Sequence, residues 1–106
     1  MCASEKIRDL NDAARRSFTG CRVMITSGVQ SLEMTQRVLL AVSSYGDFSE
    51  SNDPYGEHDF GSIQIAEQTV FWKFDYYDVD FQMASPDPTD PTVTVRVLTI
   101  MLAEEY

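Results

Sequence analysis

Glu57-His58-Asp59 sets the only histidine of the sequence between two carboxylates that can orient its ring, a residue combination suited to acid/base or metal-assisted chemistry. As a catalytic base it lacks an identifiable nucleophile. Adjacent residues also point in different directions, so a metal site built here needs Asp53, Asp75 or Asp78 from other segments. No His or Cys at ligand spacing supports zinc. Asp78-Val79-Asp80 hints at calcium, yet the loop from Asp47 has neither the central glycine nor the terminal glutamate of a calcium loop. Cofactor fingerprints and a nucleophile elbow are absent from the chain. The reading is therefore no cofactor and no metal, with His58 ordering its loop through hydrogen bonds.

Phe71, Trp72, Phe74, Tyr76 and Tyr77 form a second chemical cluster, one able in principle to stack bases on a sheet. The surrounding carboxylates would repel the phosphates that accompany those bases. Core packing with tyrosine hydroxyls at the rim explains these residues better, and any exposed part reads as a protein-binding hot spot.

Charge is the stronger functional signal. Seventeen acidic and eight basic residues in 106 give a formal charge of −9 and a pI near 4.3. Direct binding to DNA, RNA or anionic lipid is disfavoured. Met1 to Gly46 carries six basic and four acidic residues, whereas Asp47 to Asp90 carries eleven acids against Lys73 alone, a net −10. Gathering Asp47, Glu50, Asp53, Glu57, Asp59, Asp75, Asp78, Asp80 and Asp87 on one side predicts an electronegative surface for a basic partner. A protein groove that otherwise holds nucleic acid fits that description. The competing reading is a solvated acidic surface with turn-forming aspartates.

The elements that must position these groups follow from periodicity. Ser4 reads as the N-cap of a helix whose apolar face is Ile7, Leu10, Ala14 and Phe18, closed by Gly20. Arg22 to Thr26 reads as a short buried strand. Ser31 then caps a second helix through Tyr45, with Leu32, Val38, Leu39 and Val42 inward and Gly46 beyond its end. Gly46 to Asp59 is dense in turn formers and reads as a long surface loop of the functional kind.

Phe60 to Ile65 alternates, as do Val70, Trp72, Phe74 and Tyr76, which predicts a hairpin. Val79, Phe81 and Met83 extend the pattern to a third strand after a turn at Asp78. Ser85 to Pro91 contains three prolines and reads as a stiff connector. Asp90-Pro91 is a helix-start signature, so Val93 to Tyr106 is predicted helical, although Thr92 to Val97 also alternates like a strand. The resulting order α-β-α-β-β-β-α predicts one α+β domain over residues 1–106, a two-layer sandwich with helices on one face of a mainly antiparallel sheet.

Cys2 and Cys21 read as free thiols, the N-terminal stretch does not resemble a secretory signal, and no apolar run reaches membrane-spanning length. These features point to a cytoplasmic location without membrane association.

Asn52-Asp53-Pro54-Tyr55-Gly56-Glu57-His58-Asp59-Phe60-Gly61, Phe71-Trp72-Lys73-Phe74-Asp75-Tyr76-Tyr77-Asp78, Ser85-Pro86-Asp87-Pro88 and Arg96 to Tyr106 together resemble a family of small bacterial proteins of unknown function. That family is common in proteobacterial genomes and mobile elements, and the resemblance spans about Leu10 to Tyr106. It supplies no catalytic residues. It does imply a setting in which small acidic proteins inhibit restriction or CRISPR complexes by presenting carboxylates where nucleic acid places phosphates. The expectation is a non-enzymatic inhibitor of such a complex. Alternatives are an acid/base or metal-assisted enzyme built on Glu57, His58, Asp59 and Asp75, and a homodimeric structural module closed by apolar surface.

Overall fold

The computed structural model describes residues 2–106. Three helices, α1 (Ala3–Ser17), α2 (Ser27–Ser31) and α3 (Thr35–Ser43), accompany four strands, β1 (Arg22–Ile25), β2 (Phe60–Ile65), β3 (Gln68–Tyr77) and β4 (Val95–Leu102). A single 3-10 turn, Ala103–Glu105, follows β4. The sheet order is β1-β4-β3-β2, with β1 parallel to β4 and the other pairs antiparallel. This is an α+β fold with a mixed sheet.

Strand parity divides the sheet into two unlike faces. Val70, Trp72 and Phe74 of β3 lie in register with Leu102, Ile100 and Leu98 of β4, and all six are buried. Ala14 from α1, Val29 from α2, and Val38 and Val42 from α3 close over them in one apolar cluster, so all three helices cover the same face. Gly61 lies opposite Trp72, and the indole occupies the space a Cβ at position 61 would need. The hairpin between β2 and β3 turns on Ala66 and Glu67, both at positive φ (49° and 68°), the conformation that matches strand twist in two-residue turns.

The C-terminal segment corrects the predicted helix. Val95–Leu102 is a central strand, because Asp90 closes a local turn instead of starting a helix: its Oδ1 accepts the Thr92 N–H at 2.9 Å and the Thr92 hydroxyl at 2.7 Å. Beyond that turn the β-branched run is inserted between β1 and β3. Its buried residues on both faces, Val97 and Leu98 then Ile100 and Met101, give the continuous apolar pattern that hid the strand.

Val79, Phe81 and Met83 form no third meander strand. Asp78 N–H donates to the Met83 carbonyl at 2.9 Å, and Asp78 Oδ1 accepts the Gln82 N–H at 2.9 Å, folding the segment into a compact turn. The third strand of the meander is instead β4.

The predicted second helix is two helices. Thr26 N-caps α2, while Ser31 ends that helix instead of opening one, and Glu33 at φ 56° breaks the chain before α3. The break has a geometric cause. Val29 and Val38 are nine residues apart, about two and a half turns, so an unbroken helix would set them on opposite sides. Similarly, α1 begins at Ala3 with Cys2 as N-cap in place of Ser4, and ends at a left-handed Phe18 before reaching Gly20.

Candidate functional site

The acidic loop that follows α3 is held against α1 by polar side chains. Ile7, Asn11, Ala14 and Arg15 share the buried stripe of α1. Arg15 Nη1 donates to the carbonyls of Val42 (2.9 Å), Ser43 (3.3 Å) and Tyr45 (2.9 Å), which satisfies the free C-terminal end of α3 with a positive charge. Its guanidinium also lies 5.2 Å from the Trp72 ring and 5.6 Å from the Phe48 ring. Asn11 Oδ1 accepts from Arg96 Nε at 2.6 Å, while its Nδ2 donates to the Tyr76 hydroxyl at 2.8 Å and the Glu57 carbonyl at 3.1 Å. One buried amide thereby ties helix, loop and two strands together.

His58 is the pin of the loop. Its Nδ1 lies 2.9 Å from Asp12 Oδ1 and its Nε2 lies 3.5 Å from Asp53 Oδ2. The ring is stacked on Phe48 with centroids 3.6 Å apart and planes within 2°. Asp53 is the inner partner, its side chain only 6% exposed, and its Oδ1 also accepts the His58 N–H at 3.2 Å. The ring thus sits between Asp12 of α1 and Asp53 of its own loop. This geometry clasps a loop.

Negative charge concentrates around the clasp. Glu57 has its carboxyl pushed up first by burial and then by Asp59 and Asp53. Asp59 is likewise pushed up, by burial first and then by Asp53 and Asp75, in part against its own backbone hydrogen bond and His58. Burial and then Asp47 push the Tyr45 phenol up as well. Asp47, Asp53, Glu57, Asp59 and Asp75 therefore act on one another or on shared neighbours, and Glu50 projects from the same loop, exposed.

Asp78, Asp80 and Asp87 are placed separately. Asp78 and Asp80 belong to the turn after β3, where Asp78 caps Gln82. Asp87 lies in the proline-rich segment, its Oδ1 accepting the Thr89 N–H at 3.1 Å and hydroxyl at 2.6 Å. The nine predicted acids thus fall into a loop set and a turn set. Of these nine acids, only Asp53 (to His58) and Asp75 (to Lys73, 3.0 Å) have a basic group within ion-pair distance among the described residues.

No group of three or more His, Cys, Asp or Glu among the described residues is placed to hold a metal ion. Sequence reasoning missed Asn11, Asp12 and Arg15 because polar residues on an amphipathic helix read as solvent-facing. Their signal was spacing: Asn11 and Arg15 fall four and eight residues after Ile7, on its own face. Among the described residues no helix is long and apolar enough to cross a membrane.

No curated protein and no solved structure matches the chain. Residues 25–105 match the model of a family described as a protein of unknown function, DUF3768. That span takes in the acidic loop, the clasp histidine and the three antiparallel strands, and the chain belongs to the DUF3768 family.

Proposed function

We propose that this chain is a binding protein whose acidic loop docks on a cationic surface of a nucleic-acid-handling protein, occupying ground that phosphates otherwise hold. Through the resemblance to mobile-element proteins, the target class is a bacterial defence complex of the restriction or CRISPR type. The partner supplies the positive charge, and no cofactor or catalytic step is involved.

The single observation that carries this reading is unpaired charge. Among the described residues, Asp47, Glu50, Glu57 and Asp59 share one loop without a basic group within ion-pair distance, while Arg15 is committed to the carbonyls that end α3. Mutual repulsion among such groups costs folding free energy, and a cationic partner offsets it. Anchoring through Arg15, Asn11 and His58 also holds the carboxylates in place before binding, which reduces the ordering cost on association.

The test is capture from bacterial lysate, with the full chain immobilised, followed by elution with salt or with duplex DNA. A partner released by both, and bound at least about tenfold more weakly by a chain carrying Asp47→Asn, Glu50→Gln, Glu57→Gln and Asp59→Asn, supports the proposal. A partner retained at about 1 M salt and indifferent to DNA and to the four substitutions overturns it.

A further inference from the structure

The face of the sheet away from the helices is unevenly covered. At one end Phe60, Phe71 and Tyr106 close on each other with ring centroids 5.1 to 6.1 Å apart. At the other end lies an apolar cleft of about 490 Å³, walled by Met24 of β1, Thr26 just beyond it, Val97 and Thr99 of β4, and Tyr77 and Phe81. Met24 is 57% exposed and Phe81 41%, and Val79 and Met83 of the same turn are exposed as well. Exposed apolar groups in such number around one concavity mark a binding surface.

Phe81 has a backbone conformation that a bulky side chain rarely adopts, φ 58°. The cost is met by placing its ring against Tyr77, centroids 5.5 Å apart, and beneath the Arg22 guanidinium at 4.7 Å. The turn is thereby folded over the sheet as one wall of the cleft. Strain of this kind persists where the surrounding structure enforces it, and it gathers at binding sites.

The opposite wall is a sheet edge. β1 pairs only with β4, and the Thr26 N–H donates to the Ile100 carbonyl at 3.1 Å. Alternation then turns the backbone groups of Met24 toward β4 and those of Val23 and Ile25 outward. Gln30 Nε2 covers the Ile25 carbonyl at 2.8 Å, leaving the Val23 N–H and carbonyl and the Ile25 N–H as the edge that β1 presents. An extended segment laid along this edge sets alternate side chains over the cleft.

Charge selects among occupants. The turn that carries Phe81 also carries Asp78 and Asp80, neither of which has a basic group within ion-pair distance among the described residues. Arg22 is already engaged on Phe81. A second copy carries a net charge of −9, which disfavours it beside these acids. We infer that the cleft and the β1 edge receive an extended basic segment of the partner, its aliphatic side chains seated between Met24 and Phe81 and its Lys or Arg residues facing Asp78 and Asp80 of the same turn. This rests on the proposed binding of a cationic protein and assigns that partner a second contact, separate from the 47–59 loop.

The experiment selects a random linear peptide library against the immobilised full chain. Enriched peptides should alternate aliphatic with basic residues, slow hydrogen exchange at the Val23 amide, and bind at least about tenfold more weakly to Met24→Asp and to Phe81→Ser. They should bind the Glu57→Gln, Asp59→Asn chain with little change. Because Met24 is exposed, Met24→Asp retains the fold, and circular dichroism verifies this for both variants. Acidic or uncharged peptides, unchanged Val23 exchange, or equal binding by Met24→Asp overturn the cleft assignment. Peptides that are basic but lose binding only to Glu57→Gln, Asp59→Asn overturn it while leaving the loop proposal standing, so the two failures are distinguishable.

Discussion

The two faces of the sheet are built from neighbouring residues of the same strands, yet they are held by different physics. Trp72 and Phe71 are adjacent, and one is fully buried under three helices while the other shares an edge-to-face cluster with Phe60 and Tyr106. The covered face owes its order to packing, reinforced at its rim by buried polar residues such as Arg15, Asn11 and Arg96. The other face leaves Met24 and Phe81 in contact with solvent. Packing thus holds one side of the β-sheet, while the cleft lies open on the other.

Breaking the comparison at its strongest point means truncating these neighbours. Trp72→Ala should cost about 4 kcal/mol, since it opens a cavity among Val42, Phe74 and Ile100 that the sheet cannot collapse to fill. Phe71→Ala should cost about 1 kcal/mol, because water reaches the vacated space. Urea unfolding of both variants gives the ratio, and equal losses would show that the second face is as much a core as the first.

Arg15 tests whether the polar rim belongs to the covered face. Arg15→Met keeps the volume but removes the donors to Val42, Ser43 and Tyr45 and frees Asp12 of one partner. A loss of about 3 kcal/mol is expected, the penalty of buried carbonyls left unmet. Its loop consequence is separable: amide exchange at residues 46–59 should quicken more than in Phe71→Ala.

Tyr76 gives the rim a pH signature. Burial, opposed by the Asn11 hydrogen bond, pushes its phenol up to about 12 from an ordinary 10. Below about pH 10 both folded and unfolded chains carry this proton, so its contribution is fully present. Between about 10 and 12 the unfolded chain releases the proton first, and stability falls by about 2 kcal/mol as pH rises through that window. Tyr76→Phe should lack this part of the alkaline loss, measured by urea midpoints from pH 9 to pH 12.

Much of the covered face was legible in the sequence because it obeys local rules. Val70, Trp72, Phe74 and Tyr76 announce a strand by alternation, and the long loop announces itself by its turn formers. What was illegible depends on distant partners. β4 reads as a helix because a strand buried on both sides loses its period of two, and because Asp90-Pro91 carries the same side-chain chemistry at a turn as at a helix start. His58 announced a loop role, but its outer partner Asp12 lies 46 residues away on a helix face that looked solvated. The cleft was hidden for a related reason: Val79, Phe81 and Met83 alternate like a strand, and only the Asp78 backbone bonds show that they fold back.

The smallest expected effect concerns the hairpin joining β2 to β3, whose strands contribute to both faces. Ala66 and Glu67 occupy left-handed backbone, where a Cβ meets the neighbouring carbonyl and where Asn-Gly is the preferred pair. Ala66→Asn with Glu67→Gly should therefore stabilise the chain by about 0.5 to 1 kcal/mol, the relieved strain outweighing the extra freedom glycine gives the unfolded state. Both positions are exposed, so no packing term competes. The gain should appear as a raised urea midpoint with an unchanged slope. Because the turn lies in β2 and β3 and the cleft is walled by β1, β4 and the 78–84 turn, the same variant should bind cleft-selected peptides as the parent does. A change in peptide affinity would mean that the hairpin and the open face move together, and that the division of labour between the two faces is less complete than their packing implies.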